Sequence, residues 1–208
     1  MKYNISGVIL AGGANKRFKG ITKANIVIGG KTILSRITDN IRDIFDEIIV
    51  VTNSPEEFKN YTGLIIVSDQ FLAAGPLGGI HAAMKASSKE SLFVFAGDMP
   101  LLDKKFIIRQ IDFYASHKCD VLVPQVNRYI EPLHAIYNIS IIRTLEEYLS
   151  GNNDYAVREF LRHLNVSYLQ FESSDETRNG FININSSSDI PMVEKILGLP
   201  VSRQGLGD

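Results

Sequence analysis

Val8-Ile9-Leu10-Ala11-Gly12-Gly13, followed by Ala14-Asn15-Lys16-Arg17-Phe18-Lys19-Gly20 and then Lys23, is the stretch on which the fold turns. A short apolar run stops at two glycines, and Lys16, Arg17, Lys19 and Lys23 follow closely. A buried strand ending in an anion-holding loop has this form. Glycines let backbone N–H groups approach a ligand without a Cβ in the way. Successive amides in such a turn form a concave anion nest that cationic side chains close. No Gly-Lys-Ser/Thr follows at P-loop spacing, and Gly-x-Gly-x-x-Gly is absent, so the loop is of neither common kind.

The pattern repeats down the chain. Residues 5–11 read as a buried strand, and Ile26-Val27-Ile28 precede a Gly29-Gly30 turn. A helix opens near Lys31, with Ile33, Leu34, Ile37, Ile41, Ile44 and Phe45 at helical spacing. Ile48–Val51, Leu64–Val67 and Leu92–Phe95 read as further buried strands. They end respectively at Asn53, Asp69 and Gly97-Asp98. Pro55 starts a short helix, residues 73–79 read as a loop before a helix from Ile80 to Ala86, and Asp103 caps a helix to about His117. Apolar strands alternating with amphipathic helices imply a parallel sheet covered on both faces, with ligands outside the strands' carboxyl ends. Gly12, Gly13, Asn53, Asp69 and Asp98 all fall at such ends.

The second half is less regular. Residues 120–125 form a strand and 127–129 a turn, and Leu133–Tyr137 returns beside that strand, which makes the sheet mixed. Helices follow at 139–149 and 155–164, an edge strand at 166–171, a short strand at 181–186 and a last helix at about 188–197, with Asp189 or a neighbouring serine at its cap. The expected architecture is a three-layer α/β/α Rossmann-like fold with a mostly parallel, mixed sheet. One domain spans 1–197, and a loose tail without periodicity spans 198–208.

Bulk properties narrow the function. A net charge of −1 over 208 residues argues against a general nucleic-acid binder, so phosphate chemistry rests on the local cluster at 16–23. One cysteine, Cys119, rules out an internal disulfide framework and reads as a core residue in a reducing compartment. The N-terminus shows no signal-peptide pattern, and no apolar run reaches a membrane span, so a cytoplasmic location is expected.

Together these motifs resemble a known family. Leu10-Ala11-Gly12-Gly13-x-x-x-Arg17-x-x-Gly20-x-x-Lys23 is similar to the N-terminal signature of the sugar-1-phosphate type of nucleotidyltransferase. Asn53, Asp69, residues 75–79, Gly97-Asp98-Met99-Pro100 and Asn183-Ile184-Asn185 narrow the likeness to molybdenum cofactor guanylyltransferases, over Val8 to Leu197. The resemblance implies transfer of guanylate from GTP to molybdopterin with release of pyrophosphate, using Mg²⁺. It implies that Asp98 holds the metal and that Arg17 and Lys23 hold the triphosphate. Leu10 to Gly13, Asn53, Asp69 and Gly78 would face the nucleotide. A carboxylate at Asp69 suits the N1–H and N2–H₂ donors of guanine, backbone N–H groups near Gly12-Gly13 suit O6, and Gly78-Gly79 lets backbone pass close to the nucleoside. Asn183 and Asn185 match asparagines beside the pterin and metal. Transient contact with molybdenum-cofactor enzymes or their chaperones is conceivable; nucleic-acid and membrane partners are not expected. Three loop positions depart from the family pattern: Phe18 for methionine, Lys19 for glycine and Thr22 for aspartate.

Plainer roles exist for each residue alone. Asp69, Asp98 and Asn53 could be caps, the cations a solvated loop, and the two asparagines a strand's wet face. His81 and His134 read as structural histidines, since no partner stands at metal spacing. The same chemistry also fits cytidylate transfer to the pterin or nucleotidyl transfer to a sugar or polyol phosphate. A nucleotide-binding regulator without turnover is a third reading.

Overall fold

The computed structural model describes residues 3–12, 21–71, 74–151 and 154–201. Gly13 and Arg17, with Lys16, Phe18 and Lys19, lie outside the described residues. β1 (Ile5–Leu10) runs in the middle of the main sheet, between β4 (Ile48–Val51) and β6 (Ser91–Ala96), parallel to both. β5 (Ile65–Val67) extends the sheet beyond β4, again parallel. On the other side β9 (His134–Asn138) pairs antiparallel with β6 and with β7 (Val121–Val126), and β10 (Val166–Phe171) closes that edge parallel to β7. β8 (Tyr129–Ile130) folds back on β7 through a turn at Asn127, whose φ is 55°. The sheet is therefore mostly parallel and mixed, as the sequence implies. β2 (Val27–Ile28) and β3 (Lys31–Thr32) make a separate small hairpin.

Alternation along the strands builds two cores. Ile9, Val50, Phe93, Phe95 and Leu122 face one side, against α1 (Ile33–Ile41), α3 (Lys104–Ala115) and α7 (Ile190–Ile196). Val8, Ile49, Val51, Leu92 and Val94 face the other, against α2 (Pro76–Ala86), α4 (Ile142–Gly151) and α5 (Val157–Leu161). Strands buried on both faces carry apolar residues at successive positions for this reason.

Three local expectations are corrected. α2 starts at Pro76, not Ile80: Gly75 takes φ 55°, and Pro76 is pre-set for the first helical position. Gly78 and Gly79 thus sit in a helical turn, not a loop. Residues 181–186 form no strand: Ile184 N–H donates to the Asp98 carbonyl at 2.9 Å, and Asn183 Nδ2 donates to the Phe181 carbonyl, so no ladder forms. Just before them the chain forms a short helix, α6 (Asp175–Gly180), capped by Ser174. The stretch read as a loose tail begins docked, with Leu199 N–H on the Glu194 carbonyl and its side chain against Gly29.

His134 is a structural residue, as read. It is fully buried among Phe93, Phe95 and Phe181, with Nδ1 3.0 Å from Gln110 Nε2. Burial pulls its pKa down to about 4. The unfolded chain therefore binds the extra proton first, and stability is lost as pH falls below the ordinary histidine value. From pH 7.5 to 5 the wild type should lose about 2 kcal/mol that His134→Gln does not lose, read by urea unfolding at each pH.

Candidate active site

The carboxyl ends of β1, β4, β5 and β6 open into one cavity of about 630 Å³. Hydrogen bonds carry the sheet's register past the strands into it. Ala11 N–H donates to the Val51 carbonyl at 2.8 Å, Thr52 N–H to Val67 at 2.9 Å, and Gly97 N–H to Leu10 at 3.0 Å. The loops that carry the polar residues are thus held by the same ladders as the core.

Leu10, Ala11, Gly12, Lys23, Asn53, Asp69 and Asp98 line this cavity. Asn183 and Asn185 join them from the far end of the chain. Gly78 does not line it; Gly79 does. The role of Gly78 is instead to admit Asp69: a Cβ there would stand 2.5 Å from both Asp69 carboxylate oxygens. Asp69 is further fixed by Phe71 N–H, which donates to Oδ1 at 2.7 Å. Burial pushes the Asp69 carboxyl above the usual aspartate range, against the lowering effects of that hydrogen bond and of His81.

At the cavity's other side Lys23 Nζ donates to Asp98 Oδ2 at 2.7 Å and reaches Asn185 Oδ1 at 3.5 Å. Three chain segments far apart in sequence meet at this ammonium. Asp98 leaves β6 through Gly97, where space is minimal: a Cβ on Gly97 would come within 2.7 Å of the Leu10 carbonyl oxygen. Gly97→Ala should therefore cost about 1–3 kcal/mol, measured as a lower urea midpoint, because backbone on both sides must shift. Asn185 is held by Asp189, whose Oδ2 accepts from the N–H groups of Asn185 and Ser186, both at 2.8 Å. Those hydrogen bonds keep the Asp189 carboxyl below the usual range.

The oxygen donors facing Lys23 are hard ones, a carboxylate and an amide carbonyl, and they already hold one cation. Such a pair fits Mg²⁺, which takes one or two protein oxygens and completes its shell with water and phosphate. Among the described residues no group of three or more His, Cys, Asp or Glu side chains could hold a metal, so the donor set suits a substrate-completed site and not a closed structural one.

Two contributions were not legible from the motifs. Thr52 and Leu133 line the cavity without any distinguishing pattern. Glu57, read as part of a plain short helix after Pro55, accepts from Thr22 and Asn25 on either side of Lys23. Only the unusual Thr22 hinted that this loop had a different anchor.

Comparison with known proteins agrees with this geometry. Residues 7–168 match the family described as a MobA-like NTP transferase domain. A probable molybdenum cofactor guanylyltransferase of Natranaerobius thermophilus is 35% identical over 205 residues, covering 95% of this chain and 98% of that protein. Another, from Thermococcus gammatolerans, is 36% identical over 194 residues, covering 91% and 98%. The crystal structure of molybdopterin-guanine dinucleotide biosynthesis protein A from Archaeoglobus fulgidus has the same fold, with a TM-score of 0.78 over 93% of this chain and 98% of that one, at 24% identity. From the strand-end cavity and these relatives alike, the chain belongs to the MobA-like NTP transferase family and is a nucleotidyltransferase.

Proposed function

We propose that this enzyme transfers GMP from GTP to molybdopterin, releasing pyrophosphate with Mg²⁺ bound, as one domain over residues 1–197 in the cytoplasm. The observation that carries the reading is the pairing of two unlike ends in one cavity. Asp69 offers a fixed carboxylate at one, and Lys23, Asp98 and Asn185 converge at the other. The names of the relatives, molybdenum cofactor guanylyltransferases, support the choice of substrates. Asp69 accepts from guanine N1–H and N2–H₂, the Gly12 region faces the base, and Asn53 faces base or ribose. Lys23, with Arg17, neutralises the triphosphate; Asn183 and Asn185 face the pterin.

The attacking group is the terminal phosphate of the pterin substrate, which is already an anion at neutral pH. Its oxygen bonds to the α-phosphorus as the α–β bridging bond breaks, and that electron pair leaves with pyrophosphate. No protein nucleophile or general base is required. Catalysis is positioning and charge neutralisation. Asp98, with Asn185, would hold the magnesium ion, which supplies Lewis-acid charge stabilisation at the phosphates when bound. Lys23 is placed to share the Asp98 carboxylate and to follow charge onto the phosphate oxygens.

Thermal unfolding with a nucleotide panel tests the ligand. GTP with Mg²⁺ should raise Tm, by about 2.7 kcal/mol of added stability at a hundredfold excess over Kd, while CTP and UTP give little. Equal protection by CTP contradicts guanine recognition.

A further inference from the structure

Glu57 does not line the cavity, yet it holds Thr22 and Asn25, which flank a residue that does. Its Oε2 accepts from Thr22 N–H at 3.2 Å and from Asn25 Nδ2 at 3.0 Å, while its Oε1 accepts from the Thr22 hydroxyl at 2.8 Å. Lys23 stands between them, opening a 3₁₀ turn (Lys23–Asn25) closed by Asn25 N–H on the Thr22 carbonyl at 2.8 Å. The contact is long-range: Glu57 comes from the 3₁₀ turn Pro55–Phe58 that follows β4. Behind it Tyr61 OH donates to Asn25 Oδ1 at 3.3 Å and lies 2.9 Å from the Thr32 hydroxyl, so the clamp is itself braced. Thr22 and Ala24 are buried, which pins the backbone on both sides of Lys23, and all three border the cavity.

We propose that Glu57 is a positioning residue for Lys23: by holding Thr22 and Asn25 together, its carboxylate fixes the ammonium against Asp98 and thereby sets the rate of nucleotidyl transfer. A lysine side chain has about 2 kcal/mol of rotamer freedom to lose on being fixed. The clamp fixes the chain on either side of Lys23 and makes no bond to its ammonium, which keeps its contact with Asp98. The carboxylate is kept charged: burial would raise its pKa, but the hydrogen bonds from Asn25, Thr22 and Ser54 hold it below the usual glutamate range. Thr22 donates twice to this carboxylate. An acidic residue at 22 would instead face it as a like charge.

The inference rests on the guanylyl-transfer reading, and the test separates the two. Pyrophosphate release from GTP with molybdopterin and Mg²⁺ is measured for the wild type, Glu57→Gln, Thr22→Asp and the double variant. Glu57→Gln should lower kcat about tenfold or more with little change in the KM for GTP, because a displacement of about 1 Å can cost a hundredfold. Thr22→Asp should be slower still. Joining it to Glu57→Gln, whose amide can donate to the new carboxylate, should recover most of that loss. A kcat for Glu57→Gln within about twofold of wild type, or a double variant no faster than Thr22→Asp, overturns the proposal. Asn25→Ala removes one of the three bonds and should show the same split at smaller size. If Glu57→Gln does not fold, this variant carries the test, and an unchanged kcat then overturns it. If the wild type releases no pyrophosphate, the functional reading fails. The clamp is then read from tryptic cleavage after Lys23, followed by mass spectrometry: faster cleavage in Glu57→Gln upholds it, and unchanged cleavage overturns it.

Discussion

Asp98→Ala should leave a folded protein that binds GTP but releases pyrophosphate roughly 10³-fold more slowly than wild type. The loss has two sources. In the proposed mechanism the carboxylate is the main hard ligand for magnesium, and it is also the anion that holds Lys23 Nζ at 2.7 Å. Removing it would take away that proposed ligand and release the ammonium. Stability changes little, by about 1 kcal/mol or less, because the pair is partly exposed and such pairs contribute modestly. The backbone of residue 98 keeps its place through the Ile184 N–H bond to its carbonyl. Adding Mg²⁺ should restore little rate, since the expected defect is a missing ligand. Single-turnover kinetics checks this: the wild type and variant differ in the chemical step, while their GTP affinities stay close. An active Asp98→Ala removes Asp98 from the metal site.

Asp69→Asn acts at the opposite end and on a different quantity. The substitution is nearly isosteric, and the amide oxygen can still accept from Phe71 N–H, so the loop after β5 stays in place. What changes is the face presented to the base. A carboxylate accepts from both guanine donors, whereas an amide presents its own N–H₂ to one of them. Charge-assisted hydrogen bonds contribute about 1.5–3 kcal/mol, so GTP binding should weaken roughly 10- to 100-fold while CTP binding barely moves. At saturating GTP the rate should fall far less. Calorimetric titration of both nucleotides reads the change directly. The wild type should show a related pH effect: because the Asp69 carboxyl titrates above the usual aspartate range, GTP affinity falls on acidification before an ordinary surface aspartate would protonate. Asp69→Asn should lack that acid limb.

The strands and the strand-end residues were legible because both follow from local pattern. Apolar runs such as Ile48–Val51 can only be buried, and in a parallel sheet their carboxyl ends converge, so Gly12, Asn53, Asp69 and Asp98 are brought together by topology alone. Asn183 and Asn185 were read on a strand, but they reach the cavity on extended chain tied to Asp98 and to Asp189. A period-2 alternation is the same for a paired strand and for an extended segment with alternate residues inward. The start of α2 was misplaced because Gly78-Gly79 reads as a breaker. The close approach of Asp69 to Gly78 and of Leu10 to Gly79 is a tertiary fact with no local signature. The role of Glu57 has no local signature for the same reason, since the Thr22 and Asn25 groups that donate to it lie more than thirty residues away. Arg17 and Gly13, prominent in the motif, lie outside the described residues, and their roles rest on the resemblance.

In the proposed function one cavity selects guanine at Asp69 and transfers its nucleotide at Asp98. Pyrophosphate release, followed with GTP, CTP, ATP and UTP, each with Mg²⁺ and with or without molybdopterin, tests it most directly. Release is expected only with GTP and molybdopterin together, and it should be lost on removing Mg²⁺ with chelator. Release at a comparable rate from CTP, or no release from GTP in the presence of molybdopterin and Mg²⁺, would contradict it.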